Sequence, residues 1–179
     1  MMTLRFAFNN FVKNNPLNLH PEIEFADLQT VKTFQEAKLR EQLSYLKAKS
    51  PFYQRLFSEN NLTIDDIKTL EDLSKIPTTT KSDLQQHNDD FFCVPKHEII
   101  DYSTTSGTLG DPVTFGSTEK DLERIAYNEA ISLSCAGIKK GDLVQMMTTI
   151  DKRFIAGMAY FLGLRKIGAG LIRMGPGIP

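Results

Sequence analysis

Apolar and charged residues alternate with a helical period over residues 27–49. Leu28, Val31 and Leu43 recur at that spacing, with lysine, arginine and glutamate between them. The pattern predicts one long amphipathic helix whose charged residues form its solvated face. The helix is expected to end before Pro51, because the residue preceding a proline is disfavoured in the α conformation.

Shorter helical patterns follow, separated by residues that interrupt helices. Asn60-Asn61, Pro77 and Asn88 divide the apolar runs. Helical pieces are therefore predicted at residues 52–57, 64–73 and 81–87. We interpret residues 1–97 as a mainly helical region.

Strand patterns are confined to the second half of the chain. Runs rich in β-branched and apolar residues predict four strands, at residues 99–102, 113–115, 143–148 and 171–174. A helix with a near capping box is expected to begin at Thr118. Asp151 is predicted to cap a helix over residues 152–167, and Gly168 to end it. The third strand, expected to be buried, this helix and the fourth strand form a βαβ unit of a parallel sheet, so residues 98–179 are predicted to be α/β.

Composition excludes several classes of function. The 179 residues are 41% hydrophobic and 24% charged, with a formal net charge of −1. No basic excess favours nucleic acid or a membrane surface, and the longest apolar stretch, residues 154–164, is too short to span a bilayer. The start of the chain lacks the features of a signal peptide, so we expect a cytoplasmic protein. Two cysteines and three histidines lack metal-ligand spacing, and no metal-binding residue is assigned.

The segment between the first two predicted strands carries the candidate chemistry. Its hydroxyl side chains can donate hydrogen bonds, and its glycines allow consecutive backbone N–H groups to point into a concavity that suits phosphate oxygens. The candidate phosphate-binding residues are Thr105, Ser106, Gly107, Thr108 and Gly110. A hairpin turn without a ligand is the alternative interpretation of these residues.

The same segment resembles a known family. T-S-G-T-L-G-D-P at residues 105–112 resembles the phosphate loop of the adenylate-forming enzymes, usually T-S-G-T-T-G-x-P. Further motifs resemble the phenylacetate–CoA ligase branch, in that family's order. They are S-P-F-Y at 50–53, L-E-D-L-S-K-I-P at 70–77, T-T-K-S-D-L at 79–84 and S-T-E-K-D-L at 117–122. The resemblance extends from about Phe34 to the last residue.

The resemblance implies carboxylic-acid activation in two halves. A carboxylate attacks the α-phosphate of ATP with Mg²⁺ assistance, and the acyl-adenylate then passes to the thiol of coenzyme A. The candidate loop residues would hold the β- and γ-phosphates, by positioning and charge stabilisation. Phe154 and Gly157 match positions near the family's acyl pocket, although a core phenylalanine and a packing glycine are the alternative. No catalytic residue is assigned within this chain.

The chain departs from the family in two residues and in length. Leu109 replaces a threonine, and Asp111 adds a negative charge where the family often has a basic residue. Family members are more than twice as long, so the resemblance implies an incomplete N-terminal part, with residues 98–179 a truncated AMP-binding domain. The adenine- and ribose-binding segments and the catalytic lysine would lie downstream. We therefore expect a piece that is catalytically silent alone and holds no tightly bound cofactor.

Two other functions are kept as alternatives. A truncated, non-catalytic paralogue would act as an anion- or protein-binding module, which a reading frame ending at Pro179 would favour. In the second alternative the acyl-adenylate forms in the same way, but the acyl group passes to the thiol of a carrier protein. The thiol acceptor that supports turnover of the full chain would distinguish this alternative from coenzyme A ligation. In each case a partner chain or self-association is expected to cover the truncated sheet.

Overall fold

The computed structural model describes residues 20–107 and 111–177. The described chain divides into two compact units. We call the first the helical unit, which comprises His20–Lys96 and residues 111–113. The second, the α/β unit, comprises His97–Gly107 and residues 114–177.

The helical unit contains three α-helices and several short 3₁₀ helices. The α-helices are α1 (Leu28–Lys49), α2 (Pro51–Glu59) and α3 (Lys81–Gln86). The 3₁₀ helices are Pro21–Phe25, Ile64–Asp66, Glu71–Lys75 and Asn88–Phe91, and a further turn, Lys96–Glu98, lies at the boundary of the unit. The predicted long helix is confirmed as α1, which begins after Asp27, whose side chain accepts a hydrogen bond from the Thr30 backbone N–H.

Ser50 joins α1 to α2 and is fully buried. Its backbone N–H donates to the Leu46 carbonyl at the end of α1. Its hydroxyl accepts from the Tyr53 N–H at 3.4 Å and donates to the Asp90 carbonyl at 2.8 Å. Pro51 is the first residue of α2. A backbone N–H at this position would have no partner within the helix, so the lack of an N–H in proline removes no hydrogen bond. The helix end predicted at Ser50-Pro51 is therefore a sharp turn between α1 and α2, held by these hydrogen bonds.

The single helical piece predicted at residues 64–73 is wrong, because two 3₁₀ helices occupy this region. Asp66 accepts from the Thr63 N–H at 2.8 Å. Asp72 accepts from the N–H groups of Lys68 and Thr69 at 2.9 and 3.0 Å. These local side-chain bonds compete with a continuous helix.

The core of the helical unit forms where α1, α2 and the segment after the Ile64–Asp66 turn meet. Leu43, Phe57 and Ile67 are 5%, 4% and 1% exposed. Leu39, Tyr53, Leu62, Ile64 and Ile76 pack around them. This cluster links residues distant in sequence, so it fixes the arrangement of the short elements.

A surface ion-pair network makes the stability of this unit depend on pH. Lys32 Nζ lies 2.6 Å from Glu36 Oε1 and 2.8 Å from Glu71 Oε2. The hydrogen bond from Lys32 is the main cause that lowers the pKa of Glu71 from its usual 4.5 to about 2. Lys32 also lowers the pKa of Glu36. The Glu71 side chain is 71% exposed, so solvent screening keeps its contribution small.

We expect the free energy of unfolding to fall as the pH drops from 4.5 toward 2. The folded pKa of Glu71 is depressed, so its contribution is present above pH 4.5 and is lost as the carboxylate protonates. Urea unfolding at neutral and acidic pH should show a smaller pH dependence in Glu71→Gln than in the unsubstituted chain. Equal pH dependence in the two proteins would contradict this assignment.

The α/β unit contains four strands and two helices. β1 (Asp101–Thr104) pairs antiparallel with β2 (Thr114–Ser117), and β3 (Leu143–Met146) pairs parallel with β4 (Gly170–Arg173). The helices are α4 (Glu119–Cys135) and α5 (Ile155–Ile167), the latter connecting β3 to β4. The predicted fold class, with its hairpin and βαβ unit, is confirmed. No helix in the described part of the chain combines the length and apolar character needed to cross a membrane.

Local signals at two helix ends are confirmed. The Thr118 side chain accepts from the Asp121 N–H, and Asp121 accepts in return from the Thr118 N–H at 2.9 Å. Gly168 ends α5 in the left-handed conformation, with φ 83°. Such reciprocal bonds and a glycine with positive φ satisfy backbone groups that a helix leaves unpaired. The first two strands, however, begin later than predicted, at Asp101 and Thr114.

Two predictions for the βαβ unit are wrong. Asp151 does not cap a helix from residue 152, because Lys152 and Arg153 both have φ 58°, and Phe154 is the N-cap of α5. The strand β3 is not buried throughout, since Leu143 is 70% exposed and only Met146, at 5%, is buried. Among the described residues β3 pairs with β4 alone, so its other edge has no neighbouring strand there.

Close packing of α4 and α5 depends on Gly163. A Cβ at this position would lie 2.5 Å from Glu129 Cβ and 3.1 Å from the Ala130 backbone nitrogen. We expect Gly163→Ala to lower the free energy of unfolding by about 1 kcal/mol, because overpacking exceeds the gain in helix propensity. Urea unfolding checks this value. Gly170→Ala is the matched control, with an expected change below about 0.5 kcal/mol, since its Cβ would meet the flexible Leu143 side chain.

Candidate functional site

The first half of the candidate phosphate loop directly follows β1. Thr105 and Gly107 are half-buried, and Ser106 is exposed. Gly107 has φ 68°, a left-handed conformation that favours glycine and turns the chain at this point. Thr108 and Gly110 lie outside the described residues, as does Leu109. Phosphate binding by these residues remains a prediction.

The hairpin and a neighbouring segment hold the start of this loop. In the ladder, Thr104 lies opposite Thr114, so residues 105–113 connect the two strand ends. The Thr104 N–H does not extend the ladder but donates to the Arg153 carbonyl at 3.1 Å. The loop therefore starts beside the segment that precedes α5, at a strand end fixed on both sides.

Asp111 follows the undescribed residues and belongs to the helical unit. Asp111 is exposed, and its backbone carbonyl accepts a hydrogen bond from the side-chain amide of Gln85. An exposed carboxylate is screened by water and salt, so its repulsion of an anion is on the order of 1 kcal/mol or less. The departure from the family at this residue is therefore compatible with anion binding nearby.

A small cleft lies beside β1 within the α/β unit. It has room for about one water molecule. Asp101 and Ser103 lie at alternate positions of β1, and alternate strand residues share one face of a strand. The lining residues are Asp101, Ser103, Ile150, Arg153, Phe154, Ile155 and Met158.

Phe154 lines this cleft, and Gly157 lies one turn into the adjoining helix. Phe154 is the N-cap of α5 and is 45% exposed, so it is not a core phenylalanine. Gly157 is buried, and a Cβ there would collide with the backbone carbonyl of Thr149. The contacts of Gly157 thus favour the packing interpretation. A role of either residue in acyl binding remains a prediction.

Three polar residues of the cleft were missed by the sequence analysis. Asp101 and Ser103 could have been noticed because they precede the loop at alternate strand positions. Arg153 could not have been noticed, because it lies beside β1 only through a contact between residues that are distant in sequence. Ser103 is 7% exposed, and its hydroxyl has no hydrogen-bond partner among the described residues. A carboxylate, a hydroxyl and a guanidinium are thus grouped with four apolar side chains.

Another hydroxyl in the α/β unit also lacks a partner. Thr148 follows β3, and its Oγ1 is buried without a hydrogen bond to any described residue. Ligands in parallel sheets gather beyond the carboxyl ends of the strands, which is where Thr148 lies. Buried polar atoms normally form hydrogen bonds. After Ser103, this hydroxyl is therefore a second unpaired polar group of the α/β unit, and it lies at the carboxyl end of β3.

Known proteins match the chain over part of their own length. It is 36% identical over 122 residues to phenylacetate-coenzyme A ligase from Thermus thermophilus, covering 68% of this chain and 27% of that protein. It is 32% identical over 156 residues to phenylacetate-coenzyme A ligase from Pseudomonas putida, covering 87% of this chain and 35% of that protein. The chain therefore spans about a third of the length of these curated relatives. No protein-family model matches the chain.

Solved structures likewise match the fold of this chain over part of their own length. A crystal structure of 2-hydroxyisobutyryl-CoA ligase, in complex with 2-HIB-AMP and CoA in the thioesterification state, matches with a TM-score of 0.77 and 28% identity. The match covers 86% of this chain and 33% of that one. Sequence and fold together place this chain in the phenylacetate–coenzyme A ligase family of adenylate-forming enzymes, over a part consistent with the family's N-terminal portion.

Proposed function

We propose that this chain is the N-terminal portion of an ATP-dependent, AMP-forming acid–CoA ligase. The observation that carries the proposal is the T-S-G-T motif beginning at Thr105, at the end of a hairpin strand in a chain related to acid–CoA ligases. Serine and threonine hydroxyls beside a glycine of positive φ provide the donors that phosphate oxygens require. The proposed location is the cytoplasm, where ATP and coenzyme A are available.

The reaction proposed for the whole enzyme activates a carboxylic acid. A carboxylate is a poor acylating agent until AMP becomes its leaving group, and the acyl-adenylate then acylates the thiol of coenzyme A. The residues Thr105, Ser106, Gly107, Thr108 and Gly110 would hold the phosphates of ATP during the first half. Their contribution is positioning and stabilisation of charge, not proton transfer.

Mg²⁺ would be bound mainly through the phosphates of ATP. The described residues contain no group of three or more histidine, cysteine, aspartate or glutamate side chains that could hold a metal ion. Magnesium commonly keeps its waters and binds through substrate phosphates and one or two carboxylates, so a cage of protein ligands is not required. No residue of this chain is assigned to Mg²⁺ or to coenzyme A.

Pyrophosphate binding tests the loop assignment. Calorimetric titration of the chain with pyrophosphate should show weak binding, and Ser106→Ala should weaken it by about tenfold, because a charge-assisted hydrogen bond is lost. Ser58→Ala is the matched control, since Ser58 is an exposed hydroxyl residue in the helical unit. Equal affinity in all three proteins would show that the loop does not bind the anion.

We propose that these 179 residues, interpreted as a helical region 1–97 and a partial AMP-binding domain 98–179, do not catalyse adenylation alone. About two thirds of the length of the curated relatives has no counterpart here. A phosphate loop without adenine- and ribose-binding groups cannot position ATP for attack. Carboxylate-dependent ATP–pyrophosphate exchange by the purified chain would overturn this proposal.

Self-association through the βαβ unit is a further expectation. Leu143, Met147, Ile172 and Met174 are 70%, 52%, 42% and 58% exposed. Such large apolar side chains near the two-stranded sheet favour cover by a second copy or a partner chain. Light scattering should give a mass above the 20.2 kDa of the monomer at high concentration. A monodisperse monomer at that concentration would exclude self-association.

A further inference from the structure

We propose that Gln85 is a positioning residue for the candidate phosphate loop and fixes the end of that loop that leads into β2. Its side-chain amide donates a hydrogen bond to the backbone carbonyl of Asp111, the first described residue after Gly107. Both residues belong to the helical unit. The inference rests on the proposed function, because it names a further residue on which phosphate binding by this loop would depend.

Gln85 is held in place by the short helix α3, which is capped at its first turn. The Thr80 hydroxyl accepts from the Asp83 N–H at 3.2 Å, and the Asp83 carboxylate accepts from the Thr80 N–H and hydroxyl at 2.7 Å each. The His87 N–H donates to the Asp83 carbonyl at 2.9 Å, which closes the turn that contains Gln85. These reciprocal bonds fix the backbone from which the Gln85 side chain extends.

The T-T-K-S-D-L motif at residues 79–84 acquires a role from this arrangement. The motif contains both capping residues, Thr80 and Asp83, and Gln85 follows it directly. The residues proposed to hold phosphate do not include any part of this motif. Its contribution would be to build α3 and to place the Gln85 amide at the end of the loop.

The candidate loop benefits from such a fixed point because it contains two glycines. Gly107 has φ 68°, and Gly110 directly precedes Asp111. Glycine loses more conformational freedom than other residues when it is ordered, so a glycine-rich loop that becomes ordered only when it binds phosphate forms a weaker complex. A loop whose ends are already fixed loses less freedom on binding.

The described residues fix this loop at several points. The ladder holds it where Thr104 lies opposite Thr114. Val113 is 1% exposed, so burial also holds the chain just before β2. The bond from Gln85 adds a fixed point at Asp111, next to the candidate residue Gly110.

Pyrophosphate titration of two Gln85 variants tests the inference. Gln85→Met keeps the length of the side chain but removes the donor, and Gln85→Asn keeps the amide but is one methylene shorter and does not reach the same carbonyl. We expect each substitution to weaken pyrophosphate binding about three- to tenfold, the effect of losing one net hydrogen bond that orders the loop. Calorimetry on the whole chain measures the dissociation constants.

Gln86→Met is the matched control. Gln86 is the next residue of α3, is exposed, and donates to the Ser82 hydroxyl at 2.8 Å instead of to the loop. Its substitution should leave the pyrophosphate affinity unchanged. The ¹³C resonance of the Asp111 carbonyl should shift in the two Gln85 variants and not in the control, because only there does this carbonyl lose its donor.

Different results would refute the inference alone or together with the proposed function. Equal pyrophosphate affinity in the unsubstituted chain and both Gln85 variants would overturn the inference and leave the proposed function intact. An unchanged Asp111 carbonyl resonance in those variants, or equal weakening in Gln86→Met, would also overturn it. Absence of pyrophosphate binding by the unsubstituted chain would overturn the proposed function and the inference with it.

Discussion

Replacing Ile67 with alanine is expected to lower the free energy of unfolding by about 2–4 kcal/mol. Ile67 is 1% exposed and packs with Leu43 of α1 and Phe57 of α2. Short 3₁₀ helices flank it on both sides, and we expect the surroundings to relax only in part around the cavity that the smaller side chain would leave. The loss should therefore include both the transfer free energy of the missing atoms and a cavity contribution.

Urea unfolding and amide hydrogen exchange measure this effect and locate it. Faster exchange is expected across α1 and α2, whose packing depends on the same cluster. Leu73→Ala provides the control within the same unit, because Leu73 is 42% exposed and should lose less than about 1 kcal/mol. Similar losses in the two variants would show that Ile67 is not the centre of this core.

Replacing Gly157 with alanine is expected to have the second large effect, a loss of about 2 kcal/mol. The added Cβ would collide with the Thr149 carbonyl and lie 3.1 Å from the Ile150 Cα. Backbone atoms cannot move aside by a rotamer change, so overpacking should exceed the roughly 1 kcal/mol that alanine gains in helix propensity. The segment before α5 would have to shift.

That shift should also reach the candidate site. Because Arg153 accepts the Thr104 N–H, a displaced segment should weaken this bond, and the Thr104 amide should exchange faster with solvent. Gly170→Ala serves again as control, since its added Cβ would face the tip of a flexible side chain. Unchanged stability and unchanged Thr104 exchange in Gly157→Ala would contradict the packing described for α5.

Elements with local signals could be predicted from the sequence. The apolar period of residues 27–49 is sufficient for α1, and Ser50-Pro51 for its end, because these signals act within a few residues. The capping box of Thr118 and Asp121 and the left-handed Gly168 are equally local. The hairpin and the parallel pair followed from the order of strand and helix patterns.

The details of the candidate site depend on contacts between distant residues, which local patterns do not contain. Lys152 and Arg153 adopt a left-handed conformation that neither residue favours on its own. Tertiary contacts here override the cap predicted at Asp151, including the bond between the Arg153 carbonyl and Thr104. The cleft could not be predicted for the same reason, since it joins β1 to this segment.

Mapping the residues that respond to Mg²⁺-ATP tests the central claim most directly. The ¹⁵N-labelled chain is titrated with Mg²⁺-ATP up to about 10 mM, enough to detect millimolar binding. We predict saturable shifts concentrated in the amides of residues 104–110, with smaller shifts in Ser106→Ala at the same concentrations. Absence of shifts, or shifts confined to residues outside this loop, would contradict the assignment of the chain as the phosphate-binding portion of an adenylate-forming ligase.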